Sequence, residues 1–157
     1  MKKPDLLCDA LPTSGHEAEN GVPEGYAPIE RGGPYFRALG PLYARPAADG
    51  GLIVAVRVRE AHANSLGIAH GGMLMTLADG AMGINLNLLR ATASGTQATV
   101  TTTLTSEFLA AARVGDWLEA HASVRRNGRR IVFAQCSLRV GEREVLHASG
   151  TFLPLAD

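Results

Sequence analysis

One stretch, Gly71–Leu89, constrains this chain more than any other. It is nineteen residues of mostly apolar side chains with a single charge, Asp79. Its length and composition predict a long helix that is apolar on nearly every side. Such a helix has to be enclosed by the rest of the fold. Asp79, two asparagines and four glycines break the roughly 18-residue apolar run that a membrane span requires.

Around this helix the pattern changes to a period of two. Leu52, Val54, Val56 and Val58 alternate with Ile53, Ala55, Arg57 and Arg59, which predicts a strand. Leu42–Arg45 reads as a short strand before it, and Glu60–Ile68 as a loop. Four more strands follow the helix: Thr99–Leu109, Asp116–Arg126, Arg130–Val140 and Arg143–Leu153. Asn127-Gly128 marks a hairpin between two of them. The order is strand, strand, helix, then four strands. It predicts an α+β fold in which a sheet of five to six antiparallel strands wraps one helix. Neither face of Thr99–Leu109 is strongly polar, which points to pairing with a second copy.

Residues 1–33 have no such period. Four prolines, five glycines and an acidic excess of six to three predict a loosely docked arm. Residues 34–157 then form one domain, with a short helix near Tyr35–Leu39. The chain has 157 residues, 46% of them apolar, enough for one core. Lys+Arg and Asp+Glu balance at 15 each, which argues against a general nucleic-acid binder. Only Leu6 and Leu7 follow the basic start before Asp9, too little for a signal peptide. Two cysteines, Cys8 and Cys136, make no disulfide scaffold and fit a reduced, cytoplasmic setting.

The chemistry concentrates where the loop becomes the helix. His70 stands at the junction, and Gly71 and Gly72 strip side chains from the first turn. That leaves N–H groups at the positive end of the helix dipole open to a carbonyl oxygen gaining charge. Asp79 follows two turns later, and a carboxylate in an apolar helix is costly unless paired or used. Taken singly, each residue has an ordinary reading. His70 fits a helix cap, Gly71-Gly72 close packing, Asn64 a turn, and Asp79 a solvent-facing position. The five histidines and the cysteines have no metal-ligand spacing, and no Gly-x-Ser-x-Gly elbow is present.

The combination Asn64-x(5)-His70-Gly71-Gly72-x(6)-Asp79, with Phe108-Leu109-x(5)-Gly115-Asp116, resembles the hotdog-fold acyl-CoA thioesterases. The branch it is most similar to is the phenylacetate-degradation, or PaaI-like, type. The resemblance spans about residues 36–153. It departs at Ala110-Ala111, where the family often has Arg-Pro. It implies an acyl-CoA thioesterase acting on a small or medium acyl or aryl thioester, with no cofactor or metal. It implies a homodimer, often paired into a tetramer, with sites at the subunit interface. It makes Asp79 the catalytic carboxylate and Gly71 the oxyanion donor. His70, Asn64 and Thr101 orient the thioester and water. Asp79 would face Asn64, His70 and Gly71 of the other subunit. A binding protein for acyl-CoA or acyl-carrier protein, without turnover, is the alternative on the same fold.

Thirteen of the 15 basic residues are arginine. Arg125, Arg126, Arg129 and Arg130 flank the Asn127-Gly128 turn and are candidates for coenzyme A phosphates, as is Arg90 at the helix end. A solvated hairpin tip is the plainer reading. Gly72, Met73 and Gly83 are candidates for lining the substrate site. Gly83 lies one turn after Asp79 and leaves space for an acyl group. Met73, like Leu74, Leu77, Met82 and Leu86, also reads as ordinary core, and so does Cys136.

Overall fold

The computed structural model describes residues 21–92, 95, 96 and 98–155. In chain order these form β1 (Ala27–Ile29), α1 (Gly33–Arg37), β2 (Leu42–Pro46) and β3 (Leu52–Arg57). A 3₁₀ turn (Glu60–His62) precedes α2 (Gly71–Leu89), and a two-residue pair follows, β4 (Ala91–Thr92) and β5 (Gly95–Thr96). The last four strands are β6 (Thr99–Phe108), β7 (Trp117–Asn127), β8 (Val132–Val140) and β9 (Arg143–Pro154). Seven strands make one antiparallel sheet in the order β1-β2-β3-β7-β8-β9-β6. It curves around α2, as the helix composition requires.

The sheet has one strand more than the five to six expected. The addition is β1, which pairs with Leu42–Ala44 of β2. It lies inside the segment expected to be a loose arm. Three residues around Pro28 carry no detectable period, and proline is tolerated because this is an edge strand. Residues 1–20 of that arm, including Cys8, lie outside the described residues.

α2 is buried through Leu74, Leu77, Ala78, Ala81, Met82 and Leu86. They meet Leu118, Ala120, Ala134, Cys136, Leu138, Ala148 and Phe152 of the sheet in one core. Besides its end residues Gly71, Leu88 and Leu89, the helix is left partly or fully open at Gly72, Met75, Thr76, Asp79, Gly80, Gly83 and Asn87. Their spacing of three and four puts them on one stripe, so Asp79 occupies the side the sheet does not cover. Buried Asn85 stitches the helix to β3. Its Oδ1 accepts the Leu52 N–H at 2.8 Å, and its amide donates to the Leu52 and Ala81 carbonyls at 2.9 Å each. Gly51 gives that side chain room. Among the described residues, no helix is long and apolar enough to cross a membrane.

The sheet face away from α2 is covered at one end by side chains. Tyr26 packs edge-on to Trp117 at 5.1 Å, and Tyr43 lies 5.4 Å from the same ring. Arg57 and Arg45 stand over Trp117 and Tyr26. The Tyr26 hydroxyl donates to Glu119 at 2.6 Å. Burial, with the Glu119 bond, raises the Tyr26 pKa to about 12.

Two glycines of α2 have opposite surroundings. A Cβ on Gly80 would strike the ring of Phe36 from α1, whereas a Cβ on Gly83 would meet nothing within 4 Å. Urea unfolding should therefore find Gly83→Ala more stable by about 1 kcal/mol, the helix-propensity gain. Gly80→Ala should lose about 1–3 kcal/mol through overpacking.

Candidate active site

The N-terminus of α2 is organised by His70. Its extended backbone makes it the N-cap, and its Nδ1 accepts the Gly72 N–H at 2.9 Å. The neutral ring therefore carries its proton on Nε2, and the ring is exposed in this chain. With Gly72 committed to His70, the Gly71 N–H remains without an acceptor among the described residues. The ring of Phe108, on the helix-facing side of β6, covers Gly71 so closely that an added Cβ would lie 3.1 Å from it. The preceding loop is tied down by backbone bonds. Ala69 N–H donates to Ala112 O at 2.8 Å, and His70 N–H to His62 O at 2.7 Å. Asn64 spends its Oδ1 on the Leu66 N–H at 2.9 Å, closing its own turn.

Among the described residues Asp79 has one partner, the Thr101 hydroxyl, which donates to Oδ1 at 2.8 Å. Thr101 reaches it because β6 shifts register against β9 between Thr101 and Thr103. The extra residue, Thr102, turns its hydroxyl back to the Thr151 carbonyl at 3.0 Å. Such bulges re-aim side chains beside functional sites. The Asp79 Oδ2 has no partner among the described residues.

One chain brings together only part of the expected set. His70, Gly71 and Gly72 share the helix start, and Asp79 pairs with Thr101. Asp79 lies nine residues beyond His70, about 13 Å along the axis at 1.5 Å per residue. Among the described residues no hydrogen bond joins the two groups. Gly83 faces open space one turn past Asp79. Met73 belongs to the core, 8% exposed.

The arginines separate. Arg90 donates to the Asn127 side chain and, at 3.5 Å, to the Gly128 carbonyl, tying the helix end to the hairpin. Arg126, Arg129 and Arg130 are exposed around that turn. Arg125 sits at a bulge between Val124 and Arg126. It lines a groove of about 370 Å³ with Thr103, Thr105, Phe133 and Ser149, on the sheet face away from Asp79. Cys136 is buried, and burial pushes its thiol pKa up, so it is no nucleophile at neutral pH. No group of three His, Cys, Asp or Glu side chains among the described residues is placed to hold a metal.

Three residues near this site were not legible as site residues in the sequence: Phe108, Phe36 and His62. Phe108 was visible only as part of a motif. Phe36 and His62 act through contacts with residues far along the chain.

The comparisons with known proteins follow the same residues. The thioesterase superfamily matches residues 66–147, from the loop before His70 to β9. The chain belongs to the thioesterase superfamily. A Pseudomonas aeruginosa protein provisionally designated an esterase is 45% identical over 131 residues, 83% of this chain and 96% of that protein. Human acyl-coenzyme A thioesterase 13 is 29% identical over 66% of this chain and 71% of its own. A solved variant of the phenylacetic acid degradation protein PaaI from Thermus thermophilus superposes with a TM-score of 0.68. It is 28% identical, over 78% of this chain and all of that one. A Streptococcus pneumoniae thioesterase-like protein solved with coenzyme A has a TM-score of 0.66 and 25% identity, over 74% of this chain and 90% of that one. The chain is thus a PaaI-like, hotdog-fold member of the superfamily and a thioester hydrolase.

Among the groups that shape how this thioesterase responds to acid are His62 and Glu119. Burial, then the Arg59 cation, hold His62 below its ordinary 6.5, against the pull of the Leu39 carbonyl. Burial raises Glu119, but hydrogen bonds from Tyr26 and His121 outweigh it and leave the carboxyl below 4.5. In both cases the unfolded chain takes the proton first, so stability is full above the ordinary pKa and lost below it. Chemical unfolding from pH 8 to pH 3 should lose stability in two steps, one beginning below 6.5 and one below 4.5. Tyr26→Phe should shrink the second step.

Proposed function

We propose that this thioesterase hydrolyses a small or medium acyl- or aryl-coenzyme A to the free acid and coenzyme A, in a site built between two copies of the chain. The observation that carries this is the division of labour along α2. One end offers an open Gly71 N–H beside His70. The middle, too distant to meet it in one chain, offers Asp79 held by Thr101. A second copy placed antiparallel would bring each half to its complement. β6 has a free edge, so the two sheets can continue through it.

The chemistry then follows. The thioester oxygen accepts the Gly71 N–H, which strengthens as the carbonyl carbon becomes tetrahedral. Thr101 occupies Oδ1 and leaves Oδ2 of Asp79 to supply the attacking electron pair, directly or through a water it deprotonates. The C–S bond breaks, and the thiolate leaves and takes the proton that Asp79 drew from the water; on the direct route a water then hydrolyses the acyl–Asp79 anhydride, releasing the acid and supplying that proton. His70 Nε2 and Asn64 orient the thioester and water. Arg126, Arg129 and Arg130 meet the phosphates of coenzyme A, while Arg125, on the other sheet face, is left out, and the open space at Gly83 receives the acyl group. The free Cys136 thiol suits a cytoplasmic setting. The coenzyme A found with the Streptococcus pneumoniae relative supports the choice of thiol.

Free-thiol release from short, long and aromatic acyl-CoAs tests the reaction. Asp79→Asn should lower kcat roughly a thousandfold, about 4 kcal/mol of transition-state stabilisation. No release by the wild type from any member, or an undiminished variant, would overturn the reading. A wild type that binds coenzyme A without turnover would favour the binding-protein alternative. Gly83→Thr should shift preference toward shorter acyl chains.

The shared site has its own test. Co-expressed Asp79→Asn and His70→Ala copies should recover about a quarter of wild-type activity, since half the random pairs hold one intact site of two. No recovery would place the site within one copy.

A further inference from the structure

His62 is buried, 4% exposed, and the chemistry above gives it no task. Its bonds nevertheless converge on the helix start. The ring Nδ1 accepts the Arg59 backbone N–H at 3.1 Å, so the neutral ring carries its proton on Nε2. That proton is donated to the Leu39 carbonyl at 2.6 Å. The same carbonyl accepts a second bond, from the Arg59 guanidinium at 2.8 Å. Gly40, at φ 93°, leaves room for that guanidinium, which a side chain there would strike.

The clamp bears on α2 at two points. Leu39 closes α1 by donating its N–H to the Phe36 carbonyl at 3.1 Å, and the Phe36 ring lies on Gly80, next to Asp79. On the other side, the His62 carbonyl accepts the His70 N–H at 2.7 Å. We propose that His62 is a positioning residue for thioester hydrolysis: its ring, bonded to Leu39, fixes the carbonyl that holds His70, and with it the open N–H of Gly71. This rests on the reading of Gly71 and His70 given above. A misplacement of about 1 Å in such a site costs on the order of a hundredfold in rate. A residue that merely filled the core would need bulk there but no donor.

Three variants separate the two roles. His62→Gln keeps a donor for Leu39, His62→Asn keeps only the acceptor for Arg59, and His62→Leu keeps bulk alone. Asn and Leu should lower kcat about 10- to 100-fold with KM changed less than about threefold, and Gln should recover most of the loss. Amide exchange at His70 should rise roughly tenfold in the Asn variant, while Leu77–Met82 stay protected. Unchanged kcat, a loss confined to KM, or Gln no better than Leu would overturn the proposal. Should wild type itself lack Asp79-dependent turnover, the proposed function fails. His70 exchange then decides the clamp alone, and unchanged exchange overturns it. Should Asn and Leu not fold, NMR exchange on wild type decides. The His62 Nε2–H and the His70 amide should open together, with protection equal within about threefold. Independent opening overturns the clamp.

Discussion

Everything in this fold depends on enclosing α2. Its apolar side chains leave no choice but a surrounding sheet, and its few polar groups are each accounted for. Asn85 is buried, yet all its bonding capacity toward β3 and the Ala81 carbonyl is used. A buried amide without partners would cost a few kcal/mol, so this satisfied one also fixes how the helix sits on the sheet. Asp79 escapes burial because it lies on the uncovered stripe. The enclosure thus selects where a carboxylate can reach the surface, and the bulge in β6 delivers Thr101 to that place.

The helix start is organised by a similar economy. His70 consumes the Gly72 N–H, and the helix offers no acceptor for the Gly71 N–H. An N-cap side chain pairs one of the four open N–H groups of a first turn. Here the cap is a ring that satisfies one donor and leaves its neighbour exposed. Phe108 over Gly71 excludes water from one side, which makes that donor stronger toward a carbonyl.

Local patterns were legible in the sequence and long-range ones were not. The limits of α2 were readable because glycine, histidine and arginine punctuate nineteen mostly apolar residues. β3 and β6–β9 were readable from alternation, β-branched residues and turn signals. The hairpin at Asn127 was readable too, although β7 and β8 end at Asn127 and Val132 and leave four residues between them. β1 was not readable, since three residues owe their strand state to pairing with β2. The Phe36–Gly80 contact and the His62–Leu39 bond escaped for the same reason. Phe36 and His62 meet partners 44 and 23 positions away, and nothing in their local sequence marks those partners. Asn64, His70, Gly71 and Asp79 stood out only together, because a motif spread over a loop and a helix start has no period of its own.

The position of β6 ties solubility to chemistry. It is ten residues long, lies at the sheet margin, and carries Thr101 and Phe108. Proteins commonly protect such a margin with a proline, a lysine or an inward charge. On β6 those devices compete for the positions that hold the carboxylate and cover the helix start. In the proposed site between two copies, a strand of the second copy would cover this margin. Selection for a shielded edge would then also be selection for a working centre.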